Sequence, residues 1–127
     1  MERTSRAIED YLEALLMLED KGSPLEITEI SLLLKVSKPA ATQMMDELKD
    51  LGYISKEKYG AISLNPSGRK IAGETLHRHM VLKSLLTEIG VSEEIAEEDC
   101  CHIEHVISKE SFSALEKLQL NLKNTDK

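Results

Sequence analysis

The stretch TEISLLLKVSKPAATQMMDELKDLGYISKEKYGAISL, residues 28–64, decides the fold of this chain. Thr28 can cap a short helix, and Ser37 can cap a second helix that carries Pro39 in its first turn and stops at Gly52. Because only about three residues separate the two helices, the spacing predicts a helix-turn-helix.

The segment YISKEKYGAISL that follows predicts a β-hairpin. The pair Tyr59–Gly60 suits a turn. The apolar and aromatic residues in and around this turn are Tyr53, Ile54, Tyr59, Ile62 and Leu64. A helix-turn-helix followed by a hairpin is a winged helix-turn-helix, the architecture of many DNA-binding domains.

Helical patterns extend on both sides of this unit. A long amphipathic helix is predicted from Ser5 to about Lys21, and Asn65–Pro66 begins another that runs to about Ile89. Ser92 starts a helix that carries CCHIEH, residues 100–105, and Ser108 caps a last helix.

The last helix has a narrow apolar stripe that suits either core packing or a dimer interface, formed by Phe112, Leu115, Leu118 and Leu122. The expected fold is therefore mainly α with a small β-hairpin. A winged helix-turn-helix domain is expected at 1–72 and a helical domain at 73–127.

Length and composition restrict the class of protein. A chain of 127 residues is too short for a large multidomain enzyme. No apolar run approaches the roughly 18 residues that cross a bilayer, and MERTSRAIED is charged, so we expect a cytoplasmic protein without a membrane partner. The two cysteines are neighbours, which argues against a CxxC pair or a disulfide and predicts reduced thiols.

The charge is distributed unevenly. The formal net charge is −7, but seven Lys or Arg against four acids give +3 between residues 35 and 70, which leaves −10 elsewhere. This asymmetry fits a basic DNA-binding face on an acidic body, and it fits an ordinary solvated surface about as well.

The CCHIEH segment predicts a candidate metal site. On a helix Cys101, Glu104 and His105 share a face, whereas Cys100 points elsewhere. Thiolate, carboxylate and imidazole together suit late first-row divalent ions, although a buried cysteine beside two surface polar residues is the ordinary alternative. Other elements offer the acid pair Asp10 and Glu13 and the mid-helix His79, each of them unremarkable alone.

Motifs for catalysis are absent. A di-iron carboxylate site needs Glu-x-x-His on two helices, and neither this motif, HExxH, a phosphate-binding glycine loop nor a defensible Ser/His/Asp grouping occurs. The chain is therefore not expected to be an enzyme.

Five blocks in order carry a resemblance to one family: IEDYLEALLMLEDKG, SKPAATQMMDELKDLGYI, LNPSGRKIA, HRHMVLKSLL and CCHIEHVIS. Together they resemble the diphtheria-toxin-repressor and manganese-transport-regulator family in its short form without an SH3-like domain. The resemblance implies a metal-dependent transcriptional repressor that binds palindromic operator DNA as a homodimer and controls metal-uptake genes.

The resemblance also implies a ligand set for up to two ions per subunit: Asp10, Glu13, His79, Cys101, Glu104 and His105. Cys101 matches the iron branch and Asp10 the manganese branch, so Fe(II) is favoured with Mn(II) second, and Co, Ni or Zn can substitute. The ancillary site of the iron branch is not expected, because Lys83 and Glu97 replace an acid and a histidine. No organic cofactor is implied.

For DNA, the resemblance assigns base-edge contacts to Ser37, Pro39 and Gln43. It assigns phosphate contacts to Thr28, Lys35, Lys38, Thr42, Lys56, Lys58 and Arg69. Two alternatives remain open: a metal-independent winged-helix regulator that senses an organic ligand or cysteine oxidation, and a metalloenzyme or metal buffer without preference for a DNA sequence.

Overall fold

The computed structural model describes residues 5–57 and 61–125 and confirms the predicted fold class. Over these residues the chain forms six helices and a two-stranded antiparallel hairpin. The elements are α1 (Arg6–Asp20), α2 (Ile27–Leu34), α3 (Lys38–Asp50), β1 (Ile54–Lys56), β2 (Ile62–Leu64), α4 (Pro66–Glu88), α5 (Glu93–Ile103) and α6 (Lys109–Thr125).

The chain divides into two compact units, Met1–Glu74 and Thr75–Lys127, with the division inside α4. Unit 1 contains the helix-turn-helix and the hairpin, and unit 2 contains the rest of α4 with α5 and α6. Within the described part of the chain, no helix combines the length and apolar character needed to cross a membrane.

The core of unit 1 joins α1, α2, α3 and the hairpin. Its most completely buried large side chains are Leu12, Leu15, Ile30, Met45, Leu48 and Ile54. Leu48 on α3 is fully buried, so truncating it to alanine is expected to cost about 2–5 kcal/mol. One face of α3 packs into this core, and the opposite face of α3 is exposed to solvent.

Local capping explains the helix ends in unit 1, with one correction. The Ser37 side chain accepts a hydrogen bond from the Ala40 amide at 3.2 Å, as predicted for the N-cap of α3. The prediction that Thr28 caps α2 is wrong, because α2 begins at Ile27 after Glu26. Thr28 lies inside the first turn, where its carbonyl accepts from the Ser31 hydroxyl.

The hairpin pairs Ile54 with Leu64 and Lys56 with Ile62 in antiparallel register. The predicted turn at Tyr59–Gly60 lies outside the described residues. The Asn65 side chain secures the base of the hairpin: its amide donates to the Gly52 carbonyl at 3.1 Å, and its oxygen accepts from the Ser55 hydroxyl at 2.7 Å.

In unit 2, serine caps begin both remaining helices. Ser92 accepts from the Ile95 amide, and Ser108 accepts from the Ser111 amide. The α5 helix ends at Ile103, so CCHIEH is only partly helical and its last two residues follow the helix. On α6, Leu118 of the predicted apolar stripe is 46% exposed. The other three residues of the stripe, Phe112, Leu115 and Leu122, are partly buried.

Candidate metal centre and DNA-binding face

The α4 and α5 helices of unit 2 bring His79 beside two thiols. Nδ1 of His79 lies 3.5 Å from Sγ of Cys100 and 3.9 Å from Sγ of Cys101. One ligand atom from each of the three side chains lies within 4.8 Å of the others, close enough to hold a metal ion. Cys101 and His79 therefore lie close together, and their role as metal ligands stays a prediction.

Glu104 places a buried carboxylate between two imidazoles. One oxygen lies 3.0 Å from Nδ1 of His79, and the other lies 3.2 Å from Nε2 of His105. Although burial opposes its charge, hydrogen bonds from His105 and His79 hold the pKa of the Glu104 carboxyl below its ordinary value. A buried anion flanked by imidazoles is a suitable ligand set for a divalent cation.

Arg78 fixes the main chain at Glu104. Its Nε donates to the Glu104 carbonyl at 2.8 Å, and its Nη2 donates to the Thr75 hydroxyl at 3.3 Å. This carbonyl belongs to the C-cap residue of α5, directly after the end of the helix at Ile103. The guanidinium therefore holds Glu104 in position from the α4 side.

Glu97 and Lys83 extend the cluster beyond His79. Oε2 of Glu97 lies 3.1 Å from Nε2 of His79 and 3.1 Å from Nζ of Lys83. The hydrogen bond and charge of Glu97 raise the pKa of Lys83. Partial burial opposes the charge of Glu97, but Lys83 and His79 hold its pKa below the ordinary value.

Cys100 corrects an expectation from the helical spacing. We predicted that it points away from the cluster, yet its thiol is fully buried beside His79. Burial, followed by the charges of Cys101, Glu97 and Glu104, raises the pKa of the Cys100 thiol to about 12. Cys100 is thus protonated at neutral pH unless a cation takes the place of its proton.

Asp10 and Glu13, the other two residues of the implied ligand set, lie one turn apart on α1 of unit 1. Asp10 is half-buried, with a carboxylate oxygen 3.8 Å from Nε of Arg6. Glu13 is buried. The cation-binding role of these two residues stays a prediction.

The candidate DNA-binding face is the start of α3. Ser37, Pro39 and Gln43 are all exposed there, as base-edge contacts require. Of the implied phosphate contacts, Thr28, Lys35 and Lys38 are exposed and Thr42 is half-buried. Lys58 lies outside the described residues.

Two of the implied phosphate contacts already have acidic partners in unit 1. Nζ of Lys56 lies 3.3 Å from Asp46. Arg69 binds Glu19 with both terminal nitrogens, at 2.5 and 2.9 Å. A DNA phosphate would therefore have to compete with a carboxylate for each of them.

Sequence reasoning missed the parts that Cys100 and Arg78 play. Neither has a local signal, because their contacts join α4 to α5 across 21 and 26 positions of the chain. Cys100 lies directly before Cys101, but this adjacency alone does not show that both thiols lie beside one imidazole on α4.

Two family models match the chain, one ending at the first residue of strand β2 and the other beginning directly after that strand. The model for the iron dependent repressor, N-terminal DNA binding domain, matches residues 3–62. The model for the iron dependent repressor, metal binding and dimerisation domain, matches residues 65–126. The resemblance noted from the five sequence blocks is thereby confirmed.

Similar proteins are transcriptional regulators. An uncharacterized HTH-type regulator of Methanocaldococcus jannaschii is 36% identical over 113 residues, which cover 87% of this chain and 90% of that protein. The HTH-type transcriptional regulator MntR of Bacillus pumilus is 33% identical over 88% of this chain and 78% of its own length.

Solved structures share the fold. The manganese regulator SloR aligns with a TM-score of 0.77 and 23% identity, over 91% of this chain and 54% of SloR. ScaR with bound Zn²⁺ aligns with a TM-score of 0.72 and 28% identity, over 87% of this chain and 52% of ScaR. The chain thus spans about half the length of these two solved proteins.

Proposed function

The chain belongs to the iron-dependent repressor family of metal-regulated, DNA-binding transcription factors, and on this premise we propose that it represses metal-uptake genes when loaded with a divalent transition metal. Fe(II) is the favoured ion and Mn(II) the second. The loaded protein binds a palindromic operator as a homodimer.

One observation carries this proposal: within unit 2, His79, Glu104 and His105 converge through a carboxylate that is 1% exposed, with Cys101 beside them. A buried carboxylate needs compensating positive charge, which the flanking imidazoles supply when protonated and a bound cation can supply in their place. Nitrogen, oxygen and sulfur donors together fit Fe(II), and the same set without its thiolate fits Mn(II).

The proposed ligands are those that the resemblance implies, namely Asp10, Glu13, His79, Cys101, Glu104 and His105. A bound divalent cation supplies positive charge and coordination bonds that offset repulsion among the acidic side chains. Metal-binding energy selects one arrangement among those the chain samples, and we infer that this selection controls the presentation of α3.

Operator binding is assigned to the exposed start of α3. Gln43 can pair with adenine through its side-chain amide, and Ser37 and Pro39 can pack against thymine methyl groups. Two copies of α3 in a dimer enter successive major grooves about 34 Å apart, so a half-site is lost if the spacing is wrong. Metal occupancy is thereby converted into repression.

The homodimer is supported by the surface of unit 2. Several large apolar side chains there are exposed, namely Met80, Ile89, Ile95, Val106, Leu118 and Leu120. Exposed apolar groups of this number in a small unit favour burial against another surface. A second copy of the chain is the partner that the family's dimerisation domain implies.

The test is an anaerobic titration with Fe(II) and with Mn(II) that follows binding of the protein to its own upstream DNA at fixed salt. We expect binding only with metal, and its loss in Glu104→Gln. His102→Gln is the matched control, because His102 is exposed on the same segment. DNA binding by folded protein that is indifferent to both ions would refute the metal switch.

A further inference from the structure

Cys100 adds a thiol to the metal cluster that the implied ligand set does not use. Its Sγ lies closer to Nδ1 of His79, at 3.5 Å, than does Sγ of Cys101, at 3.9 Å. The thiol is fully buried, so its position is determined by packing within unit 2. Sγ of Cys100 also lies 3.7 Å from Nε2, so this thiol lies against the ring, and both cysteines lie beside the imidazole.

The distances fit a tetrahedral ion. Zinc binds sulfur at about 2.3 Å and nitrogen at about 2.0–2.1 Å, which at the tetrahedral angle separates the two donor atoms by roughly 3.6 Å. The observed separations from Nδ1 of 3.5 and 3.9 Å bracket this value. Because Sγ of Cys100 also lies 3.7 Å from Nε2, the His79 ring must turn before Nδ1 and both thiols can bind one ion.

We propose that Cys100, Cys101 and Nδ1 of His79 bind a thiophilic divalent ion of the Zn(II) or Cd(II) class. Each thiol releases its proton to solvent, and the two thiolates balance the charge of the ion. Glu104 is the nearest carboxylate to the fourth position, because its Oε2 lies 3.0 Å from the same Nδ1.

The surroundings of His79 support this assignment of its nitrogens. When Nδ1 binds an ion, Nε2 keeps its hydrogen and donates to Glu97, 3.1 Å away. A metal-bound histidine that donates its other N–H to a carboxylate is a recurrent arrangement that orients the ring. Lys83 holds the same Glu97 oxygen at 3.1 Å, so the acceptor is itself fixed.

This inference deepens the proposed function, on which it rests, because the thiophilic site shares His79 and Cys101 with the ligand set for Fe(II) or Mn(II). An ion bound at the thiophilic site therefore occupies His79 and Cys101, and these two residues can then no longer bind Fe(II) or Mn(II). Zn(II) and Cd(II) are expected to compete with Mn(II) rather than to add to it. Cys100 is then the residue that separates soft from hard ions.

X-ray absorption of the Zn(II)-loaded wild-type protein tests the ligand count without any substitution. We expect two sulfur neighbours at about 2.3 Å, with nitrogen or oxygen completing the shell. A single sulfur neighbour, or none, would overturn the proposal. Since this measurement uses the native chain, destabilisation by a variant cannot obscure it.

Cobalt(II) absorption then assigns the two sulfurs. The sulfur-to-cobalt charge-transfer band is expected to fall to roughly half in Cys100→Ser and in Cys101→Ser and to vanish in the double variant. His102→Gln is the control and should retain the full band, and circular dichroism verifies that each variant is folded. A band unchanged in Cys100→Ser but lost in Cys101→Ser would overturn the role of Cys100.

The two proposals fail separately in these experiments. If the sulfur count and the cobalt band show that Cys100 does not bind the ion, while DNA binding still depends on Mn(II), the thiophilic site is overturned and the proposed repressor function stands. Two sulfur neighbours around Zn(II), with DNA binding indifferent to every ion, support the site and overturn the metal switch.

Discussion

Nζ of Lys83 and Oε2 of Glu97 form an ion pair at 3.1 Å. These are the positions at which the resemblance leads one to expect an acid and a histidine for the ancillary site of the iron branch. A lysine at the first position supplies a permanent cation, so the pair satisfies the local charge without a second ion. We therefore expect Glu97 to support His79 instead of binding a metal itself.

Glu97→Gln is expected to weaken metal binding. The substitution removes the negative charge that attracts Lys83 and strengthens the hydrogen bond from Nε2 of His79, so the ring is held less firmly. A loss of roughly ten-fold or more in affinity is expected for such a partner of a ligand, measured by isothermal titration. Glu98→Gln is the control, since Glu98 is exposed. Equal affinity of both variants would contradict the supporting role of Glu97.

Cys101→Glu is expected to shift ion preference toward Mn(II), because a carboxylate replaces a soft donor in the implied ligand set. The measurement is the ratio of the Fe(II) and Mn(II) concentrations that half-saturate DNA binding under anaerobic conditions. Cys101→Ser separates loss of the thiolate from gain of the carboxylate. If the ratio does not change in Cys101→Glu, Cys101 is not a ligand.

Gln43→Ala is expected to weaken operator binding by about 1–3 kcal/mol and to affect non-specific DNA much less, since Gln43 is assigned to a base edge. Lys38→Ala serves as the comparison. It should weaken both DNAs similarly and reduce the salt dependence by about one ion, as for a phosphate contact. Equal losses for Gln43→Ala on the two DNAs would place its side chain away from the bases.

The Glu19–Arg69 pair predicts a pH-dependent contribution to stability. The hydrogen bond from Arg69 holds the pKa of Glu19 below its ordinary value of 4.5. A lowered carboxyl pKa stabilises the fold above that ordinary value, and the contribution is lost as the pH falls through the lowered pKa. Both side chains are partly exposed, so solvent screening keeps the effect small.

Chemical unfolding of wild type and Glu19→Gln at pH 7 and near pH 3 tests this pair. The wild-type protein should be slightly more stable at pH 7, and the difference should shrink in acid. In the same variant Arg69 loses a competing carboxylate, so DNA affinity should rise if Arg69 contacts phosphate. A stability difference that persists unchanged in acid would contradict the pairing.

Gly68→Ala is expected to destabilise unit 1. A Cβ at Gly68 would lie 2.1 Å from the Tyr53 carbonyl oxygen, so backbone must move. The cost is expected to reach about 1–3 kcal/mol or more. Gly73→Ala in the same helix is the control, because no atom lies within 4 Å of its added Cβ and alanine favours helix by about 0.5–1 kcal/mol. Thermal unfolding of the two variants should therefore move in opposite directions.

Much of the fold could be predicted from local residues. Ser5, Ser37, Ser92 and Ser108 each cap a helix as expected, because a serine hydroxyl and the amide three residues later interact without help from the rest of the chain. The failure at Thr28 has the same local origin, since the backbone entered the helix one residue before it.

The sequence by itself thus determined the helices, the hairpin and the family, because caps, spacing and ordered motifs act over short separations. Only the tertiary structure decided which side chains meet His79. Helical spacing directed Cys100 away from Cys101, but two thiols 100° apart on α5 can both reach a ring on α4 when the helices pack closely. Contacts that join residues 79 and 100 depend on how two helices cross, and periodicity along one helix carries no information about that crossing.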